Sequence, residues 1–118
     1  MNPGIVAVFV SFLATATHAH HATSTNFTQE LISVTGVIEQ IRYQNPHSSI
    51  LIKHTSGEDE ETFWLIEMGA KTTLDRQGIN LERLPMGEKV TATGLKGRRQ
   101  YTMYLRTLVF EDGSVFTP

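Results

Sequence analysis

The chain has no cysteine among its 118 residues, which excludes disulfides, thiolate metal sites and a cysteine nucleophile. It also has no excess of basic residues, because ten Lys and Arg stand against twelve Asp and Glu, for a formal net charge of -2. Without a large positive field to attract phosphate backbones, we expect no nucleic-acid partner. The G-x-S-x-G, H-E-x-x-H and phosphate-binding glycine-loop motifs are absent as well, so we predict a protein that is not an enzyme.

The first part of the chain lacks charge altogether, since no Asp, Glu, Lys or Arg precedes Glu30. Residues 5–16 form an apolar run that ends in small residues, as in a secretory signal peptide. The run is too short for a transmembrane helix, which needs about 20 apolar residues. We therefore predict a signal peptide over residues 1–19 and a periplasmic or secreted mature protein with no transmembrane segment. The start departs from the usual pattern in having no basic residue, and the alternative is a buried N-terminal strand or helix.

Two cleavage positions fit the small-residue rule, after Ala16 or after Ala19. Cleavage after Ala19 makes His20 the first residue, and its α-amine and ring nitrogen then form a chelating pair suited to Cu(II). We predict a site for copper or another transition metal formed by His20, His21 and His47. The alternative is that the first two belong to a mobile tail and His47 is a turn residue. Cleavage after Ala16 removes the N-terminal chelate.

Residues 20–30 are polar and unpatterned, which predicts a flexible arm, and residues 31–118 form the folded domain. A strand over 34–43 has its apolar alternation interrupted near Glu39 and Gln40, which predicts a bulge or bend. Asn45-Pro46 then breaks the strand, because proline lacks an N–H. Further strands are predicted over 48–54, 62–68, 89–95 and 101–110, with a short return at 115–116 and a helix over 70–77.

Three strands, a helix and two more strands is the element order of the OB fold. We predict an all-β chain with one short helix, folded as a small five-stranded OB-like barrel. A small open β-sandwich is the alternative.

Aromatic residues on the strands (Tyr43, Trp64, Tyr101 and Tyr104) suit either a stacking platform for sugars or bases, or a core. Glu67 lies in an otherwise apolar strand and needs a partner, for which Arg76, Arg106 and His47 are the choices. It is then half of a structural ion pair or a ligand contact. The candidate ligand-binding residues are Trp64, Glu67, Arg76 and Tyr104.

The ordered set of short motifs in the mature chain resembles a known family. The motifs are His20-His21, Gly36-Val37-Ile38, Asn45-Pro46-His47, the segments 64–69, 74–78 and 85–94, and Leu-x-x-x-Asp-Gly at 108–113. Together they resemble the exported bacterial family catalogued as domain of unknown function 6152. Ala22 stands where the pattern has Ser, and Ile79 where it has Trp. The resemblance implies an exported, barrel-like domain and supplies no reaction.

These observations predict an exported small β-barrel that binds copper or another transition metal through its N-terminal histidines and the Asn-Pro-His turn. The alternative is a metal-free interaction module that binds a protein, glycan or small ligand on its aromatic face.

Overall fold

A computed structural model describes residues 25–118 of the chain. Its elements are strands β1 (Phe27–Arg42), β2 (Ser48–Thr55) and β3 (Glu61–Met68), helix α1 (Lys71–Arg76), a 3-10 helix (Leu81–Arg83), and strands β4 (Lys89–Gly97), β5 (Thr102–Phe110) and β6 (Val115–Phe116). Within this part of the chain, no helix has the length and apolar character needed to cross a membrane.

The strands form one six-stranded sheet in the order β3-β2-β1-β4-β5-β6. The sheet closes into a ring because β3 also pairs with β5, in parallel, while the other pairs are antiparallel. The predicted OB-like fold with one short α-helix is confirmed, and the closed ring excludes the open sandwich. The short return β6 joins the edge of β5 as a sixth strand.

β1 pairs with two strands, with β4 along its first part and with β2 along its second. Its register against β2 shifts between Ile38 and Gln40, so the predicted bulge is confirmed. Gly36 lies just before this bend, where a Cβ atom would collide with the carbonyl oxygen of Lys53. A side chain at this position would force the β1 and β2 backbones apart, which is why the bend requires glycine.

The core fills the inside of the ring with alternate residues of each strand. Leu74 of α1 and Leu81 of the 3-10 helix pack against it, at 1% and 0% exposure. Each large apolar side chain buried in this way stabilises the fold by about 1.5–3 kcal/mol. The fully buried apolar strand residues are Ile38, Ile50, Ile52, Ile66, Met68, Val90, Ala92, Met103, Leu105 and Leu108.

The sheet begins earlier than the sequence predicts. β1 starts at Phe27, so the last four residues of the predicted arm belong to the strand. Phe27 is buried, and its ring packs on that of Tyr104 with the centroids 5.4 Å apart. The anchoring ring explains the difference, because it ties a polar segment to the outside of the sheet. The predicted signal peptide and the rest of the arm lie outside the described residues, apart from Thr25 and Asn26.

Candidate functional site

The Asn45-Pro46-His47 motif is the corner between β1 and β2, and it is docked on the start of α1. Asn45 Oδ1 accepts a hydrogen bond from the backbone N of Thr72 at 3.1 Å. The N of Lys71 donates to the carbonyl oxygen of Gln44 at 3.0 Å. The residue preceding the helix, Ala70, has no side chain that can cap it. Asn45 therefore caps α1 from a distant part of the chain.

His47 is exposed at this corner. Its predicted metal-binding partners, His20 and His21, lie outside the described residues, and residues 25–118 contain no group of three or more metal-ligating side chains. His54 is close to His47 in sequence but lies at the far end of β2. Its Nδ1 is 2.6 Å from the carbonyl oxygen of Thr35. The three-histidine site stays a prediction.

The aromatic side chains do not form one platform, because they lie in three separate places. Tyr43 donates a hydrogen bond to the carboxylate of Asp75, and Lys71 lies over its ring at 4.5 Å. Trp64 faces the inside of the ring and packs partly buried against the core. Tyr104 is on the outside, against Phe27. Alternation along β3 explains the separation, since Trp64 shares the inner face with Ile66 and Met68.

A mixed apolar and charged surface covers the outside of β2 and β3. We call it the outer β2–β3 face. On this face, Phe63 is 49% exposed and lies opposite Lys53 on β2. By contrast, the outside of β1 and β4 carries hydroxyl pairs, such as Ser33 with Thr93. The outer β2–β3 face consists of Leu51, Lys53, Phe63, Leu65 and Glu67.

The charge of Lys53 on this face is already balanced. Its ammonium group lies 3.1 Å from Glu39 and 3.8 Å from Glu61. The hydrogen bond to Glu39, and the negative charges of both carboxylates, raise the pKa of Lys53 above its ordinary value of 10.5. This lysine therefore adds little positive potential to the face.

In the part of the chain that the structure describes, positive charge without an ion pair lies instead on the β4–β5 turn, Arg98 to Tyr101. The turn is fixed through its backbone, because the carbonyl oxygen of Tyr101 accepts from Leu65 N at 2.9 Å and that of Arg99 accepts from Thr102 Oγ1 at 2.7 Å. Tyr101 has a φ of 57° and is 40% exposed. Its ring meets that of Trp64 edge to face, with centroids 5.4 Å apart. Both arginine side chains are exposed.

Glu67 is half-buried where the outer face meets this turn. It lines a small cavity of about 170 Å³ together with Arg98, Arg99, Phe27 and Thr102. Its register neighbour on β5 is Tyr104, so the structure brings together two of the predicted ligand-binding residues.

The three predicted partners of Glu67 were wrong. Across the described chain, Glu67 makes no ion pair with Arg76, Arg106 or His47. Arg106 stands over the ring of Tyr104 at 5.9 Å, and Arg76 is exposed on α1. The parallel pairing of β3 with β5, which the sequence pattern does not show, brings the turn arginines to Glu67 instead.

Three residues of this surface, Phe63, Arg98 and Arg99, are not among the residues predicted to bind ligand. Two sequence features point to them. Phe63 lies on the face of β3 opposite to the core residue Ile66. The arginines form the basic turn between the last two long strands. The sequence pattern does not show that the sheet closes through the pairing of β3 with β5, and this closure brings the two features onto one surface.

Comparison with known families identifies the chain. The model of the family of unknown function DUF6152 matches residues 8–105, so the chain belongs to this family and the predicted resemblance is confirmed. No curated protein matches the sequence.

Several solved structures are similar to this chain at low sequence identity. The mitochondrial single-stranded DNA-binding protein of S. cerevisiae aligns with a TM-score of 0.52 and 10% identity, over 73% of this chain and 95% of that one. The N-terminal domain of PriB from Thermoanaerobacter tencongensis has a TM-score of 0.47 and 14% identity, over 77% and 100% of the two chains. A small single-stranded DNA-binding protein from Streptomyces coelicolor has a TM-score of 0.42 and 9% identity, over 71% and 93%.

The likeness to the S. cerevisiae protein overturns the expectation that nucleic acid is excluded as a partner. That expectation rested on the net charge of -2, which averages over the whole chain. The fold is shared with a single-stranded DNA-binding protein, and two of the cationic groups of this chain, Arg98 and Arg99, lie next to each other on one exposed turn. Net charge is therefore the wrong criterion here.

Proposed function

We propose that the protein is an exported, non-enzymatic OB-like domain that binds single-stranded nucleic acid along the outer β2–β3 face and the β4–β5 turn. The observation that carries the proposal is the turn itself. It presents two exposed arginines and a half-exposed tyrosine at the edge of a face that carries an exposed phenylalanine. Arginine and aromatic side chains side by side are the groups that hold phosphates and stack on bases.

The position of this surface supports the proposal. OB folds bind oligonucleotides and oligosaccharides on the face of their second and third strands and on the loops between strands 1 and 2 and strands 4 and 5. The outer β2–β3 face and the β4–β5 turn occupy these places in the present chain. The protein from S. cerevisiae that shares the fold is named for single-stranded DNA binding.

Stacking is expected to supply much of the affinity. Phe63 and Tyr101 are exposed by 49% and 40%, and a base stacked on an aromatic side chain is stabilised by about 1–3 kcal/mol. Their exposed rings accept any base, so we expect little sequence preference.

Electrostatic attraction is expected to be modest, since Lys53 is paired with glutamates. Within residues 25–118, the cations near the face that make no ion pair are Arg98 and Arg99 on the turn and Arg42 at the end of β1. The register neighbour of Arg42, Ser49, lies beside Glu67. About three phosphate contacts predict a weak, salt-sensitive complex.

The test is fluorescence anisotropy with a labelled oligo-dT of about 12 nucleotides, within the range of sites on one OB fold. Arg98→Ala with Arg99→Ala is expected to weaken binding about tenfold, or about 1.4 kcal/mol. The matched control, Arg76→Ala with Lys89→Ala, removes the same charge from positions outside the surface and is expected to bind as wild type.

Three outcomes would contradict the proposal. They are no binding at low salt, equal losses in the two double variants, and stronger binding of a glycan or an unrelated protein at the same face. Oligo-dT competition against a chito-oligosaccharide and a duplex of the same length separates these cases.

We infer a second candidate function, a transition-metal site of His20, His21 and His47, from the geometry of the β1–β2 corner. The corner is held by hydrogen bonds to α1, so His47 is presented on a fixed turn with its ring exposed. Such a ring is a suitable ligand for copper.

Mass spectrometry of the exported protein tests the precondition, since Thr17 as the first residue eliminates the N-terminal chelate. If His20 is first, His47→Ala is expected to lower Cu(II) affinity by about an order of magnitude in calorimetry. An unchanged affinity removes His47 from the site.

A further inference from the structure

A second and larger cavity lies away from the outer β2–β3 face. Its volume is about 460 Å³, and it is an open groove lined by the segment 78–88 and by the hairpin of β5 and β6. None of its lining residues belongs to β2, β3 or the β4–β5 turn. Small-molecule sites in proteins have volumes of about 300–1,000 Å³. The cavity therefore has the size of an independent ligand site.

Its floor is apolar and rigidly supported. Four half-buried side chains line it and also pack against the core: Ile79, Leu84, Phe110 and Phe116. The N of Ile79 donates to the carbonyl oxygen of Leu74 at 2.9 Å, and the N of Phe110 donates to that of Ser114 at 3.0 Å. The first bond ties the segment 78–88 to α1 and the second closes the β5–β6 hairpin, so the backbone of both walls is fixed.

The charged groups around this floor are unequal in sign. Two carboxylates, Glu88 and Asp112, stand against one guanidinium, that of Arg83. Glu88 is half-buried, and across residues 25–118 neither Glu88 nor Arg83 makes an ion pair. Asp112 is held in place by Ser114, whose N and Oγ donate to Asp112 Oδ1 at 2.8 and 2.6 Å. These two hydrogen bonds lower the pKa of Asp112 and keep it ionised.

We propose that this cavity is a binding site for a small organic cation, an ammonium group attached to an apolar body. The apolar part contacts Ile79 and Leu84, and the rings of Phe110 and Phe116 offer their faces to the cation, as aromatic rings do for quaternary ammonium ligands. Glu88 and Asp112 neutralise its charge. The guanidinium of Arg83 lowers the affinity of the cavity for every cation. A cation therefore binds only when an apolar body adds contacts with the floor, and this selects for amphipathic ligands.

Two probes of similar shape and opposite charge test the proposal, benzyltrimethylammonium and phenylmethanesulfonate. The probe is titrated into the purified ¹⁵N-labelled protein, and amide shifts are followed by NMR. The cation is expected to shift the amides of Ile79, Glu88 and Ser114 and to bind at least about tenfold more tightly than the anion.

Glu88→Gln is expected to weaken cation binding about fivefold, and adding Asp112→Asn is expected to abolish the preference for the cation. The amide acceptor of the asparagine still bonds to Ser114, so the turn is retained. Glu58→Gln, on the exposed turn between β2 and β3, removes the same charge far from the cavity and is the matched control.

A stronger response to the anion would assign the site to Arg83 and overturn the proposal. Equal responses to both probes, no response, or an unchanged affinity in Glu88→Gln would overturn it as well. The amide spectrum of the core strands shows in each case whether the variant is folded.

Discussion

The β1–β2 corner and the β4–β5 turn are both fixed connections of the same ring, but they use their side chains in opposite ways. At the corner, Asn45 caps α1 and Ser48 Oγ donates to the carbonyl oxygen of Gln44 at 3.1 Å. At the turn, the backbone supplies the fixed contacts, and the guanidinium groups of Arg98 and Arg99 are exposed. Most polar side chains of the corner are used for folding, whereas those of the turn are available to a ligand.

This difference shows that the more conspicuous motif has more of its side chains used in the fold. Asn-Pro-His draws attention because asparagine, proline and histidine all have special chemistry, yet two of its three residues are explained by the geometry of the corner. Gly-Arg-Arg-Gln has no motif character. Its importance arises only because the parallel pairing of β3 with β5 places it beside Glu67.

The largest effect is expected from Trp64, which supports the β4–β5 turn from inside. Trp64→Ala removes a partly buried indole and its contact with Tyr101, and we expect it to lower the free energy of unfolding by about 3 kcal/mol. Trp64→Phe keeps an aromatic ring and is expected to lose about half as much. Urea unfolding measures both. A Trp64→Ala protein that is as stable as wild type but loses ligand binding would restore Trp64 as a ligand-binding residue.

Salt dependence of oligo-dT binding gives the next largest effect and tests whether the turn is the charged part of the site. With about three phosphate contacts, the slope of log K against log salt is expected to be about -2, at about -0.7 per contact for a single strand. Arg98→Ala with Arg99→Ala should make the slope shallower, at about -0.7 for the one remaining contact. An unchanged slope would place the phosphate contacts elsewhere, because each lost contact must remove its share of released counterions.

Asn45→Ala tests the corner and is expected to cost about 1 kcal/mol, the usual effect of losing a helix cap. Oligo-dT affinity should be unchanged, since the cap faces α1. If the Asn45→Ala protein were as stable as wild type but bound oligo-dT more weakly, the side chain of Asn45 would be available to a ligand and the contrast between corner and turn would be wrong.

The element order, the bulge at Ile38 to Gln40 and the core alternation were predictable because they depend on short-range patterns. Ile50 and Ile52 on β2 and Ile66 and Met68 on β3 are buried as alternation predicts. The start of β1 at Phe27 was not predictable from these patterns, because it depends on a ring contact with Tyr104 from the other end of the chain.

The candidate site was predicted only in part, for the same reason. Glu67 and Tyr104 were chosen from their residue types, and the structure makes them neighbours across β3 and β5. Trp64 and Arg76 were grouped with them because a single sequence does not show which residues a parallel pairing joins. The cavity beside Phe116 depends on the return of β6 onto β5, which places residues 78–88 and 110–116 together without any shared motif.

The smallest effect is expected from Tyr43, whose hydroxyl links the corner to α1. The hydrogen bond to Asp75, together with burial and the charge of that carboxylate, raises the pKa of Tyr43 to about 12. Because the folded state holds this proton more tightly than the unfolded chain, its contribution is complete below the ordinary pKa of 10.0 and is lost as the pH rises toward 12. Tyr43→Phe should therefore make stability less dependent on pH between 10 and 12. The check is the urea midpoint of both proteins across this range. Parallel curves for the two proteins would mean that Tyr43 titrates as it does in the unfolded chain, and that the corner is held by Asn45 and the backbone alone.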